Sequence, residues 1–235
     1  NDAIDSFTAK RSQGHPQEYL LGLGSFFGNM FFCDPGALIP RDETELLVNT
    51  ALAYIKKVEG PETVNVVDMG TGCGSIAISI ALNDTRTRVV ASDLNESTIR
   101  VARKNVDKFN LEDRVELLTG DLYAPFEGLG LEEQIDIVAC NPPYIPSTSL
   151  EKMDPEIIDY EPKEAFDGGA FGINFYKRLI NDSLIFLKKD GTLVFEIGEG
   201  QEKLVKRLFK KNENYHDVNF HDDGENVRVI SVVKK

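Results

Sequence analysis

From residue 63 onward, short β-branched apolar runs alternate with segments of helical periodicity, and few architectures satisfy that alternation. The runs at 64–69, 88–93, 115–119 and 135–140 have the length and composition of strands buried in a sheet. Between them, 75–82 reads as a helix. A second helix opens at Asn95 and carries Ile99, Ala102, Val106 and Phe109 on one face. Such an order requires mostly parallel strands joined by helical crossovers, which is an α/β doubly wound sheet. Helices near 173–188 and 200–211 and a strand at 192–197 continue the pattern. Two closing runs, near 217–221 and 227–233, predict an antiparallel hairpin at the sheet edge.

Upstream the pattern differs. Residues 1–13 are polar with little apolar periodicity, and in 25–33 aromatic runs flank a Gly28-Asn29 pair, which predicts a β-hairpin with a tight turn. Asp42 followed by Glu45 resembles a capping box. Leu47, Val48, Ala51, Leu52, Ile55 and Val58 then recur at helical spacing, giving a helix over 42–58 that Gly60-Pro61 ends. With 235 residues and no long polar linker, one main domain over 42–235 is expected, preceded by the hairpin at 25–41 and a short segment at 1–24.

Acidic residues outnumber basic ones by 39 to 26, a net charge of −13 that would repel a polyanion, so direct nucleic-acid binding is not expected. Lys203, Lys206, Arg207, Lys210 and Lys211 cluster at the spacing of one helix face and read as a solvated face. No apolar run reaches a membrane-spanning length and no signal pattern opens the chain; the cytoplasm is the expected compartment, and a monomer the expected state. Cys33, Cys73 and Cys140 are far apart and odd in number, so they predict buried small residues rather than disulfides or a metal site. His15, His216 and His221 have no motif around them and are expected to be structural. No metal is expected.

Three strand ends carry the chemistry. Asp68-Met69-Gly70-Thr71-Gly72-Cys73-Gly74 joins the first strand to its helix, where an open α/β sheet binds nucleotide-like ligands. Its G-x-G-x-G spacing differs from the dinucleotide fingerprint, and an acid at the start of the turn suits a cation or amino group rather than a pyrophosphate. Asp93, about 20 residues on, is placed to accept from ribose hydroxyls. Gly120-Asp121-Leu122 ends the third strand, where Asp121 can meet an adenine amino group and Leu122 can cover the ring. S-adenosylmethionine, with its ammonium, sulfonium, diol and adenine, meets all three demands.

Asn141-Pro142-Pro143-Tyr144 ends the fourth strand. Its two prolines fix φ and remove two N–H donors, leaving the carbonyls of Asn141 and Pro142 free to accept. The Asn141 amide and the Tyr144 ring complete a cradle that grips a planar NH2 group and stacks on it. X-Pro-Pro is also common strand-ending punctuation. Opposite the glycine loop, however, the tetrapeptide would hold an amide or an exocyclic base amine facing a sulfonium methyl, with Asn141 and Pro142 orienting the nitrogen lone pair.

Together Asp68–Gly74, Asp93 and Asn141–Tyr144 resemble class I S-adenosylmethionine-dependent methyltransferases of the Rossmann-like fold. The N-P-P-Y motif is shared by glutamine-N5 methyltransferases and by adenine-N6 methyltransferases of RNA or DNA, the latter being the alternative. Four flanking segments resemble the HemK/PrmC family of release-factor glutamine methyltransferases: Pro16-Gln17-Glu18-Tyr19-Leu20-Leu21-Gly22, Ile39-Pro40-Arg41-Asp42-Glu43-Thr44-Glu45, Tyr160-Glu161-Pro162-Lys163-Glu164-Ala165-Phe166-Asp167-Gly168-Gly169 and Glu196-Ile197-Gly198-Glu199-Gly200-Gln201. That resemblance implies methylation of the glutamine in the Gly-Gly-Gln loop of peptide chain release factors. The substrate would sit on Asn141, Pro142, Pro143 and Tyr144. The cofactor would be held by Asp68, Gly70, Thr71, Gly72, Cys73, Gly74, Asp93, Asp121, Leu122 and Asn141. It also implies that 1–24 is the remnant of an N-terminal helical domain. Asp42 stands where the family usually has proline, and Leu122 where an aromatic is frequent.

Overall fold

The computed structural model describes residues 2–60, 63–169, 173–210 and 212–235. Two helices, α1 (Asp2–Ser12) and α2 (Gln17–Leu21), lead into a hairpin of β1 (Leu23–Phe26) and β2 (Asn29–Phe32), followed by α3 (Glu45–Ile55). The turn of the hairpin is Phe27-Gly28, one residue earlier than the Gly28-Asn29 pair suggests. Both residues have positive φ, 49° and 72°, as a two-residue hairpin turn requires, while Asn29 pairs with Phe26 and its amide bonds the Phe27 carbonyl.

The α3 helix starts later than expected, and no capping box forms. Asp42–Thr44 is a single 3₁₀ turn, and the Glu45 carboxylate accepts from the backbone N–H of Phe27 at 2.7 Å instead of folding back on its own helix. A tertiary partner has displaced the local one. The hairpin is thereby fastened to the start of α3.

The central sheet contains β3 (Val64–Met69), β4 (Thr87–Asp93), β5 (Val115–Thr119), β6 (Ile135–Cys140), β7 (Leu187–Glu196), β8 (Tyr215–Asp222) and β9 (Val227–Lys234) in the order β5-β4-β3-β6-β7-β9-β8. Strands β3 to β7 pair in parallel. Strand β9 runs antiparallel to β7, and β8 to β9, so the expected edge hairpin is present. The chain moves outward from β3 to β5 and then jumps back to place β6 on the other side of β3. Ligands gather at such a switch point, because the loops leaving the two strands diverge and open a crevice.

Helices α4 (Ser75–Asn83) and α5 (Glu96–Lys108) join α3 and the hairpin on one face, burying Phe26, Phe31, Leu47, Ile78, Ile80 and Ile99. The other face buries Phe126, Tyr176, Phe186, Phe195 and Phe209. Those come in part from α7 (Ile173–Phe186) and α8 (Glu202–Phe209), which follow the short α6 (Pro155–Ile158). Each such side chain contributes roughly 1.5–3 kcal/mol of burial. Strand β7 begins at Leu187, five residues before the expected start, because α7 stops at Phe186 and the chain turns straight into the sheet.

All three cysteines are buried and unpaired. Lys203, Lys206, Arg207 and Lys210 lie exposed along α8, whose Val205 and Phe209 face inward; Lys211 falls outside the described residues. No helix among the described residues is long and apolar enough to cross a membrane.

Candidate active site

The C-terminal ends of β3, β4, β5 and β6 converge on one cleft of about 310 Å³. Gly70, Thr71, Gly72, Cys73, Asp93, Asp121, Leu122, Asn141 and Pro143 line it, so the three strand-end elements and the tetrapeptide share one space. Asp68, Gly74, Pro142 and Tyr144 stand behind that lining rather than in it.

The glycine loop crosses from β3 to α4 in left-handed backbone, with φ of 67°, 58° and 87° at Gly70, Gly72 and Gly74. At Gly74 a side chain would be strained by the backbone and would also crowd Ile78, with a Cβ 3.0 Å from its Cδ1. Asp68 is fully buried beneath the loop. One carboxylate oxygen accepts from Thr71 Oγ1 at 2.6 Å and from the Ala77 N–H at 3.1 Å, and Oδ1 has no partner. Burial pushes its pKa up to about 7 against those two bonds. Burial raises the Cys73 thiol to about 12.

Asp93 holds the opposite side of the loop. Its Oδ2 accepts from the Gly72 N–H at 3.0 Å; burial lifts its pKa, and the Gly72 and Asn95 N–H groups restrain the rise. At the next strand end, Asp121 is half-exposed and ion-paired with Arg178 at 2.8 Å, so the adenine-facing acid of the sequence reading carries a cation. Gly120 is squeezed under Pro125, where a Cβ would come within 2.5 Å of Cγ.

The tetrapeptide is anchored by side chains from distant segments. Asn141 Nδ2 donates to Thr44 Oγ1 at 3.0 Å, and Thr44 donates to Glu196 Oε2 at 2.7 Å. Tyr144 Oη donates to the other oxygen of Glu196 at 3.0 Å, while the Tyr144 carbonyl accepts from Gln201 Nε2 at 2.9 Å. Gln201 in turn receives the hydroxyl of Tyr176 at 2.7 Å and the N–H of Gly198 at 3.0 Å. Glu196 is buried, its pKa raised by desolvation, with Arg228 at 3.9 Å. Burial also pushes the Tyr144 phenol far up.

Thr44, Glu196 and Gln201 belong to the segments whose resemblance was noted above, yet their spacing in the chain gives no hint of contact with Asn141. Register supplies it. Cys140 pairs with Phe195, so the residues that follow each, Asn141 and Glu196, emerge side by side. Arg41 lines the cleft and bonds Glu161 Oε1, whose other oxygen accepts from the Ile39 N–H at 3.2 Å, tying the 39–45 segment to the 160–169 loop. Below the glycine loop, Asn105 of α5 donates to the carbonyls of Cys73 and Phe32 and accepts from the Phe32 N–H.

None of the histidines reaches the cleft: His15 packs on Tyr160, His216 pairs with Asp217, and His221 bonds Ser231.

The family model described as "Methyltransferase small domain" matches residues 44–173, more than half of the chain. A release factor glutamine methyltransferase from Bacillus cereus is 38% identical over 209 residues, covering 89% of this chain and 72% of that protein. One from Rhodopirellula baltica is 32% identical over 234 residues, covering 99% and 78%. Among solved structures, the hMettl16 catalytic domain in complex with an RNA hairpin superposes with a TM-score of 0.65 at 19% identity, covering 89% of this chain and 76% of that one. A ribosomal protein L11 methylase from Lactobacillus delbrueckii gives 0.58 at 18%, covering 86% and 83%. Those two share the fold. The sequence relatives carry more, since they match most of this chain and more than two thirds of their own length at identities above 30%, and on that ground the chain is a methyltransferase that belongs to the release factor glutamine methyltransferase family.

Proposed function

We propose that this chain transfers the methyl group of S-adenosylmethionine to the side-chain amide nitrogen, N5, of a glutamine in a peptide chain release factor. The observation that carries the reading is the shared cleft: Asn141 and the glycine loop meet across the switch point, with a Cβ built on Gly70 lying 3.6 Å from the Asn141 carbonyl. A methyl donor on the loop and an amide on the tetrapeptide would be neighbours.

The residues present fit the cofactor. Asp68 Oδ1 is an unpartnered buried acceptor under the loop, suited to a ligand ammonium or to a water bridging to one. Beyond its own chain neighbours, nothing lies within 4 Å of where a Gly72 Cβ would stand, which leaves room for a ligand there. Asp93 keeps acceptor capacity toward the cleft for a diol, and Leu122 presents an apolar wall. Asp121 would reach an adenine amino group only by sharing its carboxylate with Arg178. When bound, S-adenosylmethionine supplies an electrophilic methyl group on a sulfonium.

What the protein must add is orientation of a poor nucleophile, because the lone pair of an amide nitrogen is delocalised. Asn141 Oδ1 accepts a hydrogen bond from the glutamine NH2, turns its nitrogen toward the donor, and stabilises the positive charge that develops there, while Pro142 behind the lining fixes the backbone from which that side chain projects. Tyr144 acts from behind, through its bond to Glu196, by fixing the course of the tetrapeptide.

Incubation with methyl-labelled cofactor and a release factor tests the reading. Label is expected in the intact factor and not in a version whose Gly-Gly-Gln glutamine is alanine; equal label in both would refute it.

A further inference from the structure

We infer that Thr44 and Glu196 are positioning residues that fix which end of the Asn141 side chain faces the substrate. The proposal rests on the methyl-transfer reading above and adds a device that sets its polarity. Asparagine presents a carbonyl and an NH2 of nearly the same shape, so packing alone does not choose between them. Only the carbonyl can receive an amide proton from a glutamine. A flipped Asn141 would offer donor to donor.

The choice is made three residues deep. Glu196 is buried and accepts at both oxygens, from Thr44 at 2.7 Å and from Tyr144 at 3.0 Å, with the Arg228 guanidinium, shared with Glu43 at 3.5 Å, lying 3.9 Å away. A threonine hydroxyl has one proton, and Thr44 spends it on Glu196. Its oxygen is then left with lone pairs only, so the group facing it at 3.0 Å has to be the Asn141 NH2. Oδ1 is turned the other way. The polarity therefore runs in one direction, from a Glu196 side chain that accepts at both oxygens, through a hydroxyl, to an amide that turns its acceptor to the cleft. Thr44 is buried at the edge of the cleft that it helps to line.

The chain of bonds also selects substrates. An Asn141 locked as an acceptor favours NH2-bearing nucleophiles at that point of the cleft and disfavours those that offer a lone pair without a proton.

The test compares Thr44→Val, which keeps the shape and removes the hydroxyl, with Thr44→Ser, which keeps the hydroxyl. Two readouts are taken on the full chain: methyl transfer to a release factor, and hydrogen exchange of the Asn141 side-chain NH2 by NMR, its resonance identified by its loss in Asn141→Ala. Thr44→Val should lower kcat about 10- to 100-fold, with KM for the methyl donor within about threefold. Exchange of the Asn141 NH2 should speed up about tenfold or more, because its bonded proton loses the acceptor that protects it. Thr44→Ser should stay within about threefold of the parent in both readouts. If Thr44→Val does not fold, Thr44→Ala gives the same comparison. Unchanged Asn141 exchange in the hydroxyl-free variant overturns the proposal, whether or not turnover falls, because Thr44 would then not act through Asn141. A parent protein that labels no release factor refutes the proposed substrate and leaves the exchange comparison to decide the relay on its own.

Discussion

The backbone N–H of Gly72 points at Asp93 Oδ2 from 3.0 Å, so the acid that ends β4 braces the glycine loop that follows β3. A loop residue and a strand end that the sequence places 21 residues apart are thus one structural unit. Asp93→Ala should weaken cofactor binding about tenfold or more in calorimetry. It removes both the proposed diol acceptor and the brace, and hydrogen bonds to charged groups are worth about 1.5–3 kcal/mol. Asp93→Glu should not restore affinity, because its longer side chain pushes Gly72 away.

Asn141→Ala should reduce turnover by at least about 100-fold in a methyl-transfer assay on a release factor, since the developing charge on nitrogen loses its oriented acceptor. Cofactor affinity should change less than about threefold. A fall in affinity matching the fall in turnover would count against the role assigned to Asn141.

The raised pKa of Asp68 has a signed consequence for stability. Between its ordinary value of 3.8 and about 7 the folded protein holds a proton there that the unfolded chain releases. Stability from this group is therefore present at low pH and lost as pH rises through about 7. Asp68→Asn, which stays neutral throughout, should flatten the decline of Tm between pH 4 and 7 in the ligand-free protein. A steeper decline in the variant would contradict the assignment.

Gly120→Ala should destabilise the protein by about 1–3 kcal/mol in urea, because the added methyl would stand 2.5 Å from Pro125 Cγ and the turn carrying Asp121 and Leu122 must move. Combining it with Pro125→Ala should recover part of the loss, since the two side chains meet directly.

Much of this architecture is written in local pattern. The alternating runs from 64 onward and the helical face of Ile99, Ala102 and Val106 map onto β3 to β9 and α4, α5, α7 and α8 because strand burial and helix amphipathicity are properties of short segments. The ends of elements were less legible. Asp42 and Glu45 have the spacing of a cap, but Glu45 finds the Phe27 N–H across the hairpin, a partner 18 residues away that no local rule anticipates. The site divides in the same way. Asn141 and the glycine loop stand out because unusual backbones need unusual residues. Thr44, Glu196 and Gln201, which hold Asn141 and Tyr144, are ordinary residues: the register of β6 against β7 brings Glu196 alongside, while Thr44 and Gln201 reach in from the 42–44 turn and the start of α8.

Asn105 sits in the last turn of α5 and spends its whole amide on neighbours: both backbone groups of Phe32 in the hairpin and the carbonyl of Cys73 in the glycine loop. The hairpin cannot shift without dragging a loop of the cleft, and the loop cannot open without pulling on the hairpin. Pressure applied to the hairpin from outside is thereby a force on the cleft itself, transmitted through a single planar group.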